Sequence, residues 1–184
     1  MRVIAGRARG RKLTTVEGPA VRPTSDRVKE ALFSMIESRF ALAGARVLDL
    51  YAGSGALGIE ALSRGAGAAV FVERSPAAAR AVRRNLEACG LEGRLLTPAA
   101  QAALARLRAE GALFDGVLLD PPYASDEAAA SLTALGAGDL LAAHAWVVLE
   151  HDDRTPPAAR CGCLGLILTR RYGNTHIAVY LRED

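Results

Sequence analysis

The chain has no apolar run approaching the roughly 20 residues that a membrane span requires, even though hydrophobic residues make up 51% of its 184 positions. It has no Ser-, Gly- or Pro-rich tract, no low-complexity segment and no fixed-period repeat. Nothing therefore marks a linker or an array, and the length suits a single domain around one core. The start, "MRVIAGRARGRKL", is charged but lacks the apolar core of a secretory signal and the Ser-rich helical character of a transit peptide. A cytoplasmic protein is expected. Cysteines number only three, Cys89, Cys161 and Cys163. An odd count argues against a disulfide framework. "CGC" has no histidine at ligand spacing and His151, Asp152 and Asp153 read as a solvated turn, so no metal site is expected.

What the chain does have is unevenly placed charge. The first 30 residues carry eight basic side chains, Arg2, Arg7, Arg9, Arg11, Lys12, Arg22, Arg27 and Lys29, against three acidic ones, whereas the net charge of the whole is only +3. Guanidinium groups pair bidentately with phosphates, so an arginine-dense arm over residues 1–24 on a nearly neutral body points to a nucleic-acid contact; a solvated basic tail is the alternative.

Behind the arm the pattern alternates. Ser25 or Thr24 can cap a helix in which Val28, Leu32, Met35 and Ile36 form one apolar stripe. "ARVLDLY" then reads as a buried strand, "ALGIEALSRG" as a helix and "AAVFVE" as the next strand. Ser75, Pro76 and Gly90 punctuate a further helix as cap, first-turn proline and terminator. "GRLLT", "FDGVLLD" and "AWVVLE" read as strands separated by helices, and "GLILTRRYGNTHIAVYL" as an antiparallel pair joined near residues 172–175. This pattern predicts an α/β, doubly wound Rossmann-like sheet, mostly parallel, with an antiparallel C-terminal edge. Ligands on such sheets lie at the carboxyl ends of the strands.

One such end carries a glycine turn. Gly53, Gly55 and Gly58 form a G-x-G-x-x-G after the first strand, and Glu73 closes the next strand 20 residues past Gly53. That spacing suits an adenosine whose ribose hydroxyls are taken by a carboxylate. Asp49 separates the two common possibilities. A carboxylate just before the turn repels a pyrophosphate but attracts the cationic methionine end of S-adenosylmethionine. The candidate cofactor residues are accordingly Asp49, Tyr51, Gly53, Ser54, Gly55 and Glu73.

The fourth strand ends in "DPPY", residues 120–123. Pro121 and Pro122 cannot donate to a ladder and restrict the residue before each of them, so the strand must stop and its exit must be stiff. Methyl transfer to a ring-attached amine needs that rigidity, because the nitrogen lone pair is delocalised and the amine hydrogens must be gripped by acceptors. The candidate acceptors are the Asp120 carboxylate and the Pro121 carbonyl, and Tyr123 offers a face for an extruded base. Such chemistry is largely alignment and charge placement, with no metal or covalent nucleophile required.

"RVIAGRARGRKL", "RPTSDRVKEALF", "LDLYAGSGALGIEALSRGA", "VFVE", "LLDPPY" and "RYGNT" occur in that order over nearly the whole chain. Together they resemble the bacterial 16S rRNA (guanine(966)-N(2))-methyltransferase family. The resemblance implies a class I fold with S-adenosyl-L-methionine as cofactor and a guanine N2 amine in 16S rRNA as acceptor, within the small ribosomal subunit or its assembly intermediate. It also implies that Asp49, Gly53 and Gly55 line the methionine end, that Glu73 takes the ribose and that residues 120–123 hold the guanine. The Asp or Asn that methyltransferases often carry after the third strand to read the adenine is missing, which leaves Thr97, Gln101 or backbone groups as substitutes and the adenine reader unassigned. An adenine-N6 methyltransferase, a non-catalytic RNA-binding protein on the same fold and an NAD-dependent oxidoreductase are the competing readings. Nothing in the composition requires more than a monomer.

Overall fold

The computed structural model describes residues 1–15, 25–122, 126–151 and 156–183. Helix α1 (Asp26–Arg39) leads into β1 (Arg46–Asp49), and the chain then alternates through α2 (Ala56–Ser63), β2 (Ala68–Val72), α3 (Pro76–Cys89), β3 (Arg94–Leu96), α4 (Ala100–Ala109), β4 (Phe114–Leu119), α5 (Glu127–Gly136) and β5 (Leu141–His151). It ends in β6 (Arg160–Cys161), β7 (Leu164–Tyr172) and β8 (Thr175–Arg182). All eight strands form one sheet in the order β3-β2-β1-β4-β5-β8-β7-β6. β1 to β5 pair in parallel, and β8, β7 and β6 add on in antiparallel fashion. The doubly wound sheet with an antiparallel C-terminal edge is thus present.

The parallel strands are apolar on both faces because each face is covered. Leu48, Leu119 and Leu149 join α4 and α5 in one core cluster. Val47, Leu118 and Val148 join α1 and α2 in another. Neighbouring residues alternate between the clusters, as the two-residue period of a strand demands.

Three details differ from the sequence reading. Strand β5 begins at Leu141, ahead of the expected Ala145, because Leu141 pairs with Phe114 before the register shifts to Gly116 opposite Trp146. The irregular stretch between those pairs includes His144 at φ 59°, which breaks the pattern that would have announced a strand. The short β6 was not anticipated. Finally, residues 1–15 of the basic arm are packed on the body through apolar positions that the sequence reading passed over. Arg2 and Lys12 face each other in an isolated antiparallel bridge, and Val3, Ala8 and Leu13 are buried among Ala52, Ile59, Phe71 and Val82.

Polar contacts fix that docking. Glu60 accepts from the Ile4 amide at 2.9 Å and from the Ala5 amide at 3.0 Å, and Ser63 Oγ accepts from the Ala8 amide at 3.0 Å. Asn85 pairs with Thr14 in both directions, through Oδ1 at 2.8 Å and Nδ2 at 2.9 Å. The hydrophobic spacing of Val3, Ala8 and Leu13 leaves the basic side chains on the outside: Arg2, Arg7, Arg9, Arg11 and Lys12 are all exposed.

Candidate active site

Four adjacent strands, in the order β2-β1-β4-β5, each deliver a carboxylate at or next to their carboxyl ends. These are Glu73 just after β2, Asp49 ending β1, Asp120 just after β4, and Glu150 one residue before the end of β5. Parallel register aligns them, since Asp49 pairs with Phe71 on one side and Leu118 on the other, and Leu119 pairs with Leu149. A row of acids along one sheet edge follows directly from this topology.

The glycine turn is built around two of them. Gly53 and Gly55 adopt left-handed backbone, φ 53° and 82°, which lets β1 turn tightly into α2. A Cβ built on Gly53 would meet nothing within 4 Å, so the space beyond the turn is open there. Glu73 closes the turn from the next strand, accepting from the Gly53 amide at 2.8 Å and from the Ser75 amide at 2.7 Å. The carboxylate therefore has a fixed orientation and further acceptor capacity toward that space. Ser54 contributes its carbonyl to Asn85 Nδ2 at 2.8 Å, which couples the turn to α3 and to Thr14.

Asp49 lies beneath the turn, only 1% exposed. Its Oδ2 accepts from the Gly58 amide at 2.9 Å. Gly58, the last glycine of the motif, is a packing residue: a Cβ there would stand 2.4 Å from Phe71 Cε1 and 3.1 Å from Asp49 Oδ2. Burial pushes the Asp49 carboxyl up to about 7; the Gly58 hydrogen bond opposes the rise and the charge of Glu73 adds to it.

Asp120 leaves β4 at the stiff corner made by buried Pro121 and exposed Pro122. Its carboxyl is held well above the usual carboxylate range, first by burial and then by the charges of Glu150 and Asp49. Glu150 is 6% exposed. It went unnoticed in the sequence, although "AWVVLE" ends in a carboxylate on a strand parallel to the one that carries DPPY. On the side of α5, an apolar cavity of about 330 Å³ is bounded by Pro121, Pro122, Leu132, His151, Pro157 and Cys161, among others.

The remaining candidates are distributed as follows. Tyr51 points its hydroxyl at α5, 2.8 Å from Ser131 Oγ and 3.4 Å from the Glu127 carbonyl, so its phenol serves the wall of the site. Gln101 is also directed to Ser131 Oγ, at 3.5 Å, and Thr97 is exposed. Tyr123 and Arg22 lie outside the described residues. Arg2, Arg9 and Arg27 come together around a cleft of about 300 Å³ with Asp26 and Glu30, and Arg2 Nε is held 3.4 Å from Asp26. Arg7, Arg11 and Lys12 do not line that cleft.

With this geometry in place, comparison with known proteins is direct. Residues 1–181 match the profile of the family described as Conserved hypothetical protein 95. The YlbH protein of Bacillus subtilis is 40% identical over 185 residues, covering 100% of both chains. Ribosomal RNA small subunit methyltransferase D of Escherichia coli K12 is 35% identical over 153 residues, 83% of this chain and 75% of that protein. Among solved structures, the Thermus thermophilus 16S rRNA N2 G1207 methyltransferase RsmC, in complex with AdoMet and guanosine, superposes with a TM-score of 0.71 at 23% identity, over 87% of this chain and 44% of that one. That likeness is one of fold, the class I methyltransferase sheet. The chain belongs to the Conserved hypothetical protein 95 family, to which the small-subunit rRNA methyltransferase D proteins are related across most of their length.

Proposed function

We propose that this protein methylates the exocyclic N2 amine of a guanine in 16S rRNA, using S-adenosyl-L-methionine. The observation that carries the reading is the placement of Asp120: a carboxyl group on a proline-stiffened strand exit, in the same row as Asp49 and beside a pinned glycine turn. Family membership and the name of the Escherichia coli relative support an rRNA substrate.

The residues fit the cofactor. Glu73, oriented by two amides, suits ribose hydroxyls, and the open space beyond Gly53 lets backbone approach the ligand. Asp49 suits a cationic centre, since an adjacent positive charge favours its ionised form. When bound, S-adenosylmethionine supplies an electrophilic methyl group on a sulfonium whose departing thioether is neutral.

The protein's own part is orientation and proton handling. Asp120 and the Pro121 carbonyl accept the two N2 hydrogens, which turns the nitrogen toward the methyl carbon. With the cofactor bound, its methyl group would be the electrophile for this nitrogen, and Asp120, in its ionised form and with its raised proton affinity, would take the proton that the methylated amine sheds. Tyr123 provides the stacking face for the guanine. The exposed cations Arg2, Arg7, Arg9, Arg11, Lys12 and Arg27, with Arg22, contact RNA phosphates.

The test is product identity. Unmethylated small subunits incubated with labelled cofactor, digested to nucleosides and chromatographed, should yield N2-methylguanosine. Recovery of N6-methyladenosine alone would establish the adenine-N6 reading instead. Asp120→Ala should abolish methyl transfer while leaving RNA affinity within about threefold, and unchanged turnover would remove Asp120 from the mechanism.

A further inference from the structure

The β7–β8 hairpin stands at the same sheet edge as the acidic row. β8 runs antiparallel to β5, with His176 opposite His151, so the turn at residues 173–174 projects from the carboxyl ends of the parallel strands. Arg171 pairs with His176 in the next ladder, which aligns Arg171, His176 and His151 across three strands. Residues directly opposite one another share a face, and the two imidazoles are in fact 5.7 Å apart, centroid to centroid. The row runs from the hairpin to the wall of the apolar cavity beside Pro121 and Pro122, which His151 helps to line. Arg170, opposite Ile177, occupies the other face of the same edge.

The arginines here differ from those that surface carboxylates hold. Arg94 and Arg106 are both held by Glu110, Arg108 by Asp139 and Arg160 by Glu183. Among the described residues Arg170 and Arg171 have no carboxylate partner. Each donates to a main-chain carbonyl of its own hairpin, Thr169 at 3.0 Å and Gly173 at 2.8 Å. A guanidinium has five N–H donors, so each exposed side chain retains most of its capacity. Tyr172 packs against the core cluster beneath, which anchors the hairpin.

We infer that the row Arg171–His176–His151, with Arg170, is a phosphate-binding track for the RNA strand on the flank of the site away from the N-terminal segment. This rests on reading the substrate as RNA. Three strand spacings separate β7 from β4, roughly 14 Å, so a strand whose target base is held at Asp120 reaches the hairpin with its adjoining backbone. Positioned guanidiniums with donors to spare suit phosphate oxygens. Arg171 shares its row with His176 and His151, on the face opposite Glu150, whereas Arg170 lies two strands from Glu150 in the Ile177 row, so the cations flank the acidic row on β7. An acidic ribosomal protein would demand the same charge, and the experiment separates the two.

Binding to protein-free 16S rRNA is measured against salt for the wild type, Arg170→Ala/Arg171→Ala and Arg170→Lys/Arg171→Lys, alongside steady-state methylation of small subunits. Two lost phosphate contacts should flatten the log–log salt slope by about 1.4, at roughly 0.7 per contact on single strands. The alanine pair should raise KM at least about tenfold with kcat within about twofold, and the lysine pair should restore most of the slope. S-adenosylhomocysteine affinity, measured by calorimetry, should be unchanged in both, which establishes an intact fold. An unaltered slope and KM in a variant that binds S-adenosylhomocysteine normally would overturn the track. So would a loss of affinity confined to assembled subunits, which would make the partner a protein. Product identity in the wild type tests the guanine-N2 reading separately, because the salt slope does not depend on which base is methylated.

Discussion

The Lys29 ammonium lies 3.2 Å from Glu60 Oε2, and neither side chain is reached by solvent. Lys29 also donates to the Arg2 carbonyl at 2.6 Å, while Glu60 receives Ile4, Ala5 and Arg64 Nε, the last at 2.8 Å. A buried ion pair thus fastens the N-terminal segment to α1 and α2. Burial drives the Lys29 pKa down and the contacts with Glu60 oppose the fall. Removing one partner strands a charge in a dry site, whereas removing both leaves only Arg64, which keeps its ion pair with Glu37 at 2.7 Å.

Glu60→Ala is therefore expected to destabilise the protein by about 3–5 kcal/mol. It should also release the Ile4 and Ala5 amides to rapid hydrogen exchange. The double replacement Lys29→Met/Glu60→Leu should recover much of the loss in denaturant unfolding but not the amide protection. A cost below about 1 kcal/mol for Glu60→Ala would show that the site is wetter than the packing indicates.

Asp49 links cofactor binding to pH. With its folded pKa pushed up to about 7, against about 3.9 in an unfolded chain, it favours the folded state fully below about pH 4. That contribution is lost as pH rises through 7. Cofactor binding has the opposite sign, because the ionised carboxylate is the form that attracts a cation. Affinity for S-adenosylhomocysteine, through its ammonium group, should rise between about pH 5 and pH 7, by at most tenfold per unit, and then level off. Calorimetry near pH 6 should detect proton release as a dependence on buffer ionisation enthalpy. Asp49→Asn should abolish both effects, and a flat wild-type profile would refute the assignment.

Gly58 tests how the turn supports Asp49. The methyl group of Gly58→Ala would have to displace the ring of Phe71, from which it would otherwise stand 2.4 Å. A stability cost of about 1–3 kcal/mol is expected from overpacking. Shifting the Asp49–Gly58 hydrogen bond should also weaken S-adenosylhomocysteine binding. Retention of full affinity would mean that Asp49 is positioned without Gly58.

The glycine turn, Glu73 and the DPPY corner were legible because each is local: a strand, its exit and the residue types that stop it lie within a few positions. The link from Gly53 to Glu73 was readable as a spacing, since a βαβ unit fixes the distance between successive strand ends. Glu150 was visible only as the last letter of an apolar run, and its neighbourhood with Asp120 depends on β4 and β5 being adjacent in the sheet. The docking of residues 1–15 was hidden for a further reason. Its partners, Glu60, Ser63 and Asn85, sit on α2 and α3, where helical periodicity gives buried polar residues no signature. The basic residues dominated the reading of that segment, yet Val3, Ala8 and Leu13 decide where it goes.

That docking changes what neutralising the segment should do. Arg7, Arg9, Arg11 and Lys12 are exposed cations on a fixed backbone, so replacing them leaves the buried contacts of Val3, Ala8 and Leu13 in place. Their loss is then an electrostatic perturbation with little effect on folding. Each phosphate contact removed should flatten the salt dependence of 16S rRNA binding by roughly 0.7 log units. Exchanging all four for Gln should give up to about 2.8 if every one touches a phosphate. Thermal unfolding should shift by no more than a few degrees, since surface substitutions away from special contacts cost within about 0.5 kcal/mol each. A salt slope that stays at the wild-type value in the quadruple variant would make these residues a solvated face, and would leave RNA binding to the remaining cations, Arg2, Arg22, Arg27 and those of the β7–β8 hairpin.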